Sequence, residues 1–243
     1  MGPNGEGRGT PHMETDPPPS PDAGPPPPGR GKNAPEIRVR TATRADVRVC
    51  ASLHASQISQ GFLSMLGTGF LTRLYGRIGR SEYSFLLVAT RGEATVGFVA
   101  GSTDVARLYR SFLWHDGVVA AFRAAGPLLV GWRRVLDTLG HASSGGAGVG
   151  RGPELLAIAV DPAWQGRGAG RQLVTAFLDQ VEARGQAAAH VVVGAGNAPA
   201  VSLYEQAGFV PVERFELHAG TESLLMQWDR QHPEDQTIDA DHL

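Results

Sequence analysis

The chain has 243 residues, with 22 Lys and Arg against 24 Asp and Glu and a formal charge of −2. That balance argues against a nucleic-acid binder working through a broad basic surface, because phosphate affinity comes from clustered positive charge. One cysteine, Cys50, excludes an internal disulfide framework and any multi-cysteine zinc site, so no metal is expected. No run reaches the ~18–20 apolar residues of a spanning helix. No secretory pattern opens the chain, and Glu6 stands where a myristoylation signal wants Ser or Thr. The expectation is a soluble, cytoplasmic protein without a membrane span.

Residues 1–35 hold 11 of the 17 prolines and almost no large apolar side chain. Such a segment buries too little surface to offset its ordering entropy and is expected to be a disordered tail. A short polyproline II motif at Pro25–Pro28 is the alternative. The EIRVRT run, 36–41, reads as a strand. Thr43-x-x-Asp46 resembles a capping box opening a helix to about Ser56. A second helix is expected over 69–78, with Phe70, Leu71, Leu74, Tyr75 and Ile78 on one face. Two β-rich runs, 85–90 and 95–101, flank Arg91-Gly92-Glu93-Ala94 as a hairpin.

Residues 104–141 carry apolar side chains at helical spacing, interrupted by Gly126-Pro127, so two or three amphipathic helices are expected. The Gly- and Ser-rich stretch 143–152 closes this insert as a linker. After it come a buried strand at 155–160 (LLAIAV) and a glycine-rich turn. A helix follows from about Gly168 to Arg184, stopped by Gly185. The strand 190–193, a helix over 198–207, and two last strands at 209–217 and 223–228 complete a domain spanning 36–229. Residues 230–243 form an acidic polar tail. The alternation of element types indicates an α/β sheet of mixed direction.

The chemistry is concentrated in Glu154–Arg171. A buried strand runs into Asp161-Pro162, which must turn, and delivers Gln165-Gly166-Arg167-Gly168-Ala169-Gly170-Arg171 to a helix start. Glycines there let backbone N–H groups approach an anion, and the helix N-terminus adds about half a positive charge. Arg167 and Arg171 can add side-chain charge. A phosphate or pyrophosphate cradle follows. A Walker loop is absent, since no Gly-Lys-Ser/Thr occurs. A dinucleotide fingerprint fits poorly, with Arg171 at the third glycine position.

Two motifs together carry a family resemblance. Gln165-x-x-Gly168-x-Gly170 after a Val-Asp-Pro turn resembles the acyl-CoA loop of the GCN5-related N-acetyltransferase (GNAT) superfamily. Downstream, Asn197-x-x-Ala200-x-x-Leu203-Tyr204-x-x-x-Gly208-Phe209 is similar to that family's Asn- and Tyr-bearing helix and strand. The resemblance implies a mixed, mostly antiparallel twisted sheet flanked by helices, here with a helical insert between the third and fourth strands. It implies that the strand before the loop splays from the next, so that Ala157, Ile158, Ala159 and Val160 offer backbone groups to the pantetheine of acetyl-CoA. The amides of Gln165 through Gly170 then hold its diphosphate, and Asn197, also a natural N-cap, bonds the cofactor.

By the same resemblance, Tyr204 protonates the departing thiolate; its alternative is an aromatic core residue beside Leu203 and Phe209. A phenol of pKa near ~10 stays protonated at neutral pH while able to donate. By the resemblance, which places a catalytic acid near this strand end in some members, Glu154 is the first candidate for general base; strand alternation groups it with Leu156 and Ile158, and a solvated strand-end charge is the alternative. His115 and Asp116 are a second guess. His54, His141, His190 and His218 have no partner at a diagnostic spacing and read as surface or packing residues, and Cys50 belongs to an apolar helix face. The expected activity is acetyl transfer from acetyl-CoA to a primary amine of a small molecule such as an amino sugar or amino-acid derivative. Residues 104–150, with Trp114, Trp132, Arg133 and Arg134, would wall the acceptor site; a packed excursion or a homodimer surface is the alternative. A protein N-terminus or lysine as acceptor, and a non-catalytic acyl-CoA-binding module, are the competing readings.

Overall fold

A computed structural model describes residues 36–58, 63, 66–115, 151–218 and 221–230. The expected tail 1–35, positions 231–243 of the expected tail 230–243, and positions 116–150 of the insert lie outside the described residues, Asp116, Trp132, Arg133, Arg134 and His141 among them. The β-branched runs form seven strands: β1 (Ile37–Thr41), β2 (Ser84–Arg91), β3 (Ala94–Ser102), β4 (Glu154–Val160), β5 (Ala188–Gly194), β6 (Val210–His218) and β7 (Thr221–Asp229). The amphipathic runs form α1 (Asp46–Gln57), α2 (Gly67–Ile78), α3 (Val105–His115), α4 (Ala169–Ala183) and α5 (Ala198–Glu205). Of the expected insert helices, α3 is described.

One sheet joins the strands in the order β1-β2-β3-β4-β5-β7-β6. Every neighbouring pair is antiparallel except β4 and β5. Alternating side chains make two cores, one on each face. On one face Leu173, Val174, Phe177 and Val181 of α4 pack with Phe85, Leu87, Leu155, Val191 and Val193. On the other, Cys50, Leu53, Leu71, Leu74, Tyr75, Leu108 and Phe112 of α1, α2 and α3 cover Leu86, Val88, Phe98 and Ala159. Burial on this scale supplies the main driving force, about 25 cal/mol per Å² of apolar area.

The start of α1 keeps one half of the expected capping box, Thr43 N–H donating to the Asp46 carboxylate, and departs from it in the rest. The helix begins at Asp46, and its N-cap position, Ala45, makes no side-chain cap. Instead the carboxylate gathers donors: Thr43 N–H and hydroxyl at 2.7 Å each, Arg40 through both terminal nitrogens at 2.8 and 3.0 Å, and the Thr95 hydroxyl at 2.7 Å. Asp46 therefore ties β1, α1 and β3 together. Burial alone would raise its pKa, but the hydrogen bonds from Arg40, Thr43 and Thr95 outweigh burial and hold it below the ordinary carboxylate range.

Candidate functional site

The single parallel pair, β4 with β5, opens a cleft. Glu154 opposite His190 is its one registered pair, and His190 N–H donates to Pro153 O at 2.9 Å. Beyond that apex the strands diverge, while β4 stays paired to β3 up to Val160. Asp161 N–H donates to Val96 O on β3, at 2.9 Å. Strand alternation then turns the backbone groups of Ile158 and Val160 toward the cleft. Val160 O confirms that direction by accepting the side-chain amide of Gln165 at 3.0 Å. Of the run expected to offer backbone groups, the alternate members Ile158 and Val160 do so, whereas Ala157 and Ala159 face β3.

A bulge corrects the facing expected for Glu154. Ala100 opposes Ala157 but Gly101 opposes Leu155, so Leu156 is the extra residue in β4. Leu156 and Ala157 consequently both join the core under α1–α3, while Ile158 packs with the α4 side. Glu154 flanks Leu155 on the α1–α3 face, with Leu156 but not with Ile158.

The mouth of the cleft is the loop and helix start. Asp161 caps a 3-10 turn, Pro162–Trp164, by accepting from Ala163 N–H at 2.9 Å. Gly166 and Gly168 then take φ of 67° and 86°, left-handed values that cost other residues about 1–2 kcal/mol each. Gly168 is the N-cap of α4 and supplies no side-chain bond. The helix ladder starts with Gln172 N–H to Gly168 O at 3.0 Å, so the amides of Ala169, Gly170 and Arg171 have no intrahelical acceptor. They present the positive end of a 15-residue helix. A Cβ on Gly170 would meet Leu203 Cδ2 at 3.3 Å, so glycine there lets α5 close on α4.

The resulting cleft has a volume of about 900 Å³ and is lined by Ile158, Val160, Gln165, Gly168, Arg171 and Asn197, among others. Arg171 donates to Gln206 Oε1 at 2.7 Å on its wall. Arg167 does not line it: its guanidinium stacks at 5.0 Å over Trp164, which Arg91 also covers at 4.4 Å. The Ala169 side chain is buried beneath the helix. These two positions offer amides to the mouth rather than side chains. Asn197 caps α5, its side chain accepting from Ala200 N–H at 3.3 Å.

Tyr204 is 4% exposed, with its ring 5.7 Å from that of Phe209. Burial pushes the phenol well above its ordinary pKa, keeping it protonated throughout the neutral range. Sequence reasoning missed Gln57, Pro199, Ser202 and Gln206 on the cleft wall, which Ala200 and Leu203, named in sequence only as motif positions, also line. Gln57 reaches the loop from the end of α1, accepting from Gln165 Nε2 at 3.3 Å. No local motif signals such a contact between residues 108 positions apart. His190, read as a surface or packing residue, stands at the apex with Nε2 3.8 Å from Glu154 Oε2. His54 is buried, with Nδ1 2.6 Å from the Tyr75 hydroxyl, and desolvation lowers its pKa to about 4. Cys50 is fully buried and its thiol is pushed up to about 12, chiefly by desolvation, which leaves no reactive thiolate. The side chains of Trp114, His115 and His218 lie outside the described residues. Among those described, no three His, Cys, Asp or Glu side chains converge as metal ligands. Among the described residues, no helix is long and apolar enough to cross a membrane.

A profile of the acetyltransferase (GNAT) family matches residues 60–209. The chain belongs to the GNAT family. Its relatives include a mycothiol acetyltransferase from Acidothermus cellulolyticus, 36% identical over 122 residues, which are 49% of this chain and 35% of that protein. A [ribosomal protein bS18]-alanine N-acetyltransferase from Salmonella typhimurium is 47% identical over 55 residues, 23% of this chain and 37% of the relative. The matches thus span about a third of these curated relatives. Solved GNAT-like folds superpose over more of the chain. The structure of yncA from Salmonella typhimurium with its cofactor acetyl-CoA has a TM-score of 0.54 at 16% identity, covering 83% of this chain and 98% of the other. A ribosomal-protein-alanine N-acetyltransferase from Brucella melitensis has a TM-score of 0.53 at 16% identity, covering 79% and 99%.

Proposed function

We propose that this GNAT protein transfers an acetyl group from acetyl-CoA to the primary amine of a small molecule. The observation that carries the reading is the continuity of the cleft. A β4 edge without a partner strand at Ile158 and Val160 leads directly to the uncapped amides of α4. An extended amide-bearing arm suits the strand edge as an added strand would, and a diphosphate suits the helix start. The residues present therefore fit coenzyme A. When bound, acetyl-CoA supplies an activated acyl carbon and a thiolate leaving group.

Each remaining task falls to a group of this chain. The amides of Gly168 through Arg171 and the side chains of Arg171 and Asn197 hold the cosubstrate. Ile158 N–H, facing the cleft, donates to the acyl oxygen as charge develops there. Glu154, which stands at the β4–β5 apex outside the cleft lining, accepts a proton from the acceptor ammonium through intervening solvent and releases it to bulk water. The freed amine forms the C–N bond as the C–S bond breaks, and the nitrogen sheds a second proton to solvent. Tyr204 donates its phenolic proton to the thiolate and regains one from solvent. The net reaction turns ammonium and thioester into amide, free thiol and one proton.

Small acceptors are favoured over protein chains by α3. It covers the sheet face that carries Glu154, with Leu108 and Phe112 fully buried and Tyr109 packed in the same cluster as Leu156 and Ala157. A wall there leaves less room for a polypeptide. The second reading, a protein N-terminus, draws on the bS18-alanine relative. Isotope-labelled acetyl-CoA offered with an amine metabolite panel and with N-terminal peptides separates them. Label entering a small amine alone supports the proposal, and label entering peptides alone replaces it.

A further inference from the structure

We propose that His190 is the positioning residue for Glu154, holding its carboxylate at the apex of the cleft on the face where the acceptor amine arrives. This rests on the acetyl-transfer reading but concerns a residue that no motif contains. Three observations carry it.

The first is register. Glu154 and His190 are opposite one another at the only point where β4 and β5 pair, so both strands converge to bring these side chains together. The second is facing. Leu155 belongs to the α4-side core, as do Ala189, Val191 and Val193. Alternation thus turns Glu154 and His190 to the α1–α3 face together. Their side chains are 16% and 13% exposed, and Oε2 lies 3.8 Å from Nε2, adjacent but beyond direct hydrogen-bond distance.

The third is an orphan. Among the described residues, His190 Nδ1 is buried with no hydrogen-bond partner. A neutral imidazole has one N–H and one lone pair, and a buried unpaired N–H is the costlier of the two to strand. The proton therefore belongs on Nε2, where it faces the carboxylate, and the lone pair is left at Nδ1. That tautomer gives the ring a fixed polarity toward Glu154. Tyr109 on α3 is close enough to feel the Glu154 carboxylate, which, after burial, helps raise the phenol. Ser102 of β3 and Gln227 of β7 are the register partners of Glu154 and His190. Gln227 is engaged by both backbone groups of Arg151, whose side chain pairs with Asp229.

The test uses the full chain. Nitrogen-15 histidine spectra, with the His190 signal assigned through His190→Gln, read the tautomer directly. A proton on Nε2 in the wild type, and mixed tautomers in Glu154→Leu, support the proposal; a proton on Nδ1 in the wild type overturns it. Steady-state transfer to an amine identified by the labelled panel provides the second arm. His190→Gln keeps an N–H within reach of the carboxylate and is expected to retain kcat within about threefold. His190→Leu is expected to lose kcat by about ten- to hundredfold, the cost of a misplaced catalytic group, with acetyl-CoA affinity unchanged. Equal losses in the Gln and Leu variants, or losses confined to acetyl-CoA affinity, overturn the positioning role. Absence of thiol release by the wild type with every amine would count against the acetyl-transfer reading instead, while the tautomer still reports on His190.

Discussion

The two ends of the cleft are built in different ways. At the mouth, every group that meets the diphosphate in the proposed complex comes from one stretch, Gln165 through Arg171, and most are backbone amides set by left-handed glycines and an uncapped helix. At the apex, Glu154 and His190 come from separate strands 36 positions apart and meet through one register pair. The mouth is mostly local geometry, set by the turn and the helix it opens, with Gly170 kept small by Leu203 of α5. The apex is tertiary geometry, dependent on one bulge and on where two strands begin to diverge.

Perturbing each end separately sharpens this contrast. The largest expected effect is at the apex: Glu154→Gln should lower amine turnover by ~10²- to 10⁴-fold, the range for a general base. Acetyl-CoA affinity measured by calorimetry should hardly change, and a parallel loss of affinity would merge the two ends into one site. Next, Tyr204→Phe is expected to reduce kcat by about a hundredfold with little effect on cosubstrate binding. Because burial raises the Tyr204 phenol, the wild type should show no alkaline loss from this group near neutral pH. Normal turnover in the variant would return Tyr204 to the core beside Phe209.

At the mouth, Gly168→Val forces a β-branched residue toward φ 86°. With about 1–2 kcal/mol of strain or more, acetyl-CoA affinity should drop at least about tenfold. Unchanged affinity would show that the turn does not hold the diphosphate. The smallest effect tests a region away from both ends. Asp46 has a depressed carboxylate, so its stabilisation is complete above the unfolded value near ~3.9 and is lost as pH falls through the lower folded value. Asp46→Asn should therefore cost about 1–3 kcal/mol in urea unfolding at pH 7, with the difference shrinking below about pH 4. An equal difference at pH 3 and pH 7 would remove the charged bonds to Arg40, Thr43 and Thr95 from the explanation.

Much of the fold was readable along the chain because strand and helix periods are local. All seven strands appear where alternating or β-branched runs stand, and Gly185 follows the C-cap of α4 with positive φ as expected of a helix stop, whereas α5 already ends at Glu205, before Gly208. The mouth was readable for the same reason, since a turn's glycines and the helix they open are consecutive. Several details were not. Leu156 looks like any other apolar strand residue, yet as a bulge it changes which face Glu154 and Ile158 occupy. Arg167 reads as a phosphate ligand by position, but Trp164 offers its charge a nearer aromatic face. Asp46 resembles a helix-capping carboxylate, while its partners Arg40 and Thr95 come from β1 and β3.

Contiguous residues were enough to dictate the element types, the anion-seeking loop and the family, because each depends on backbone freedom and side-chain period within a few positions. The folded sheet was needed to place Gln57 against Gln165, to turn Glu154 toward α1–α3, and to bring His190 beside it. Those arrangements depend on strand register and on the angle at which two strands part. Both properties arise from packing distant segments together, and no short window of the chain contains them.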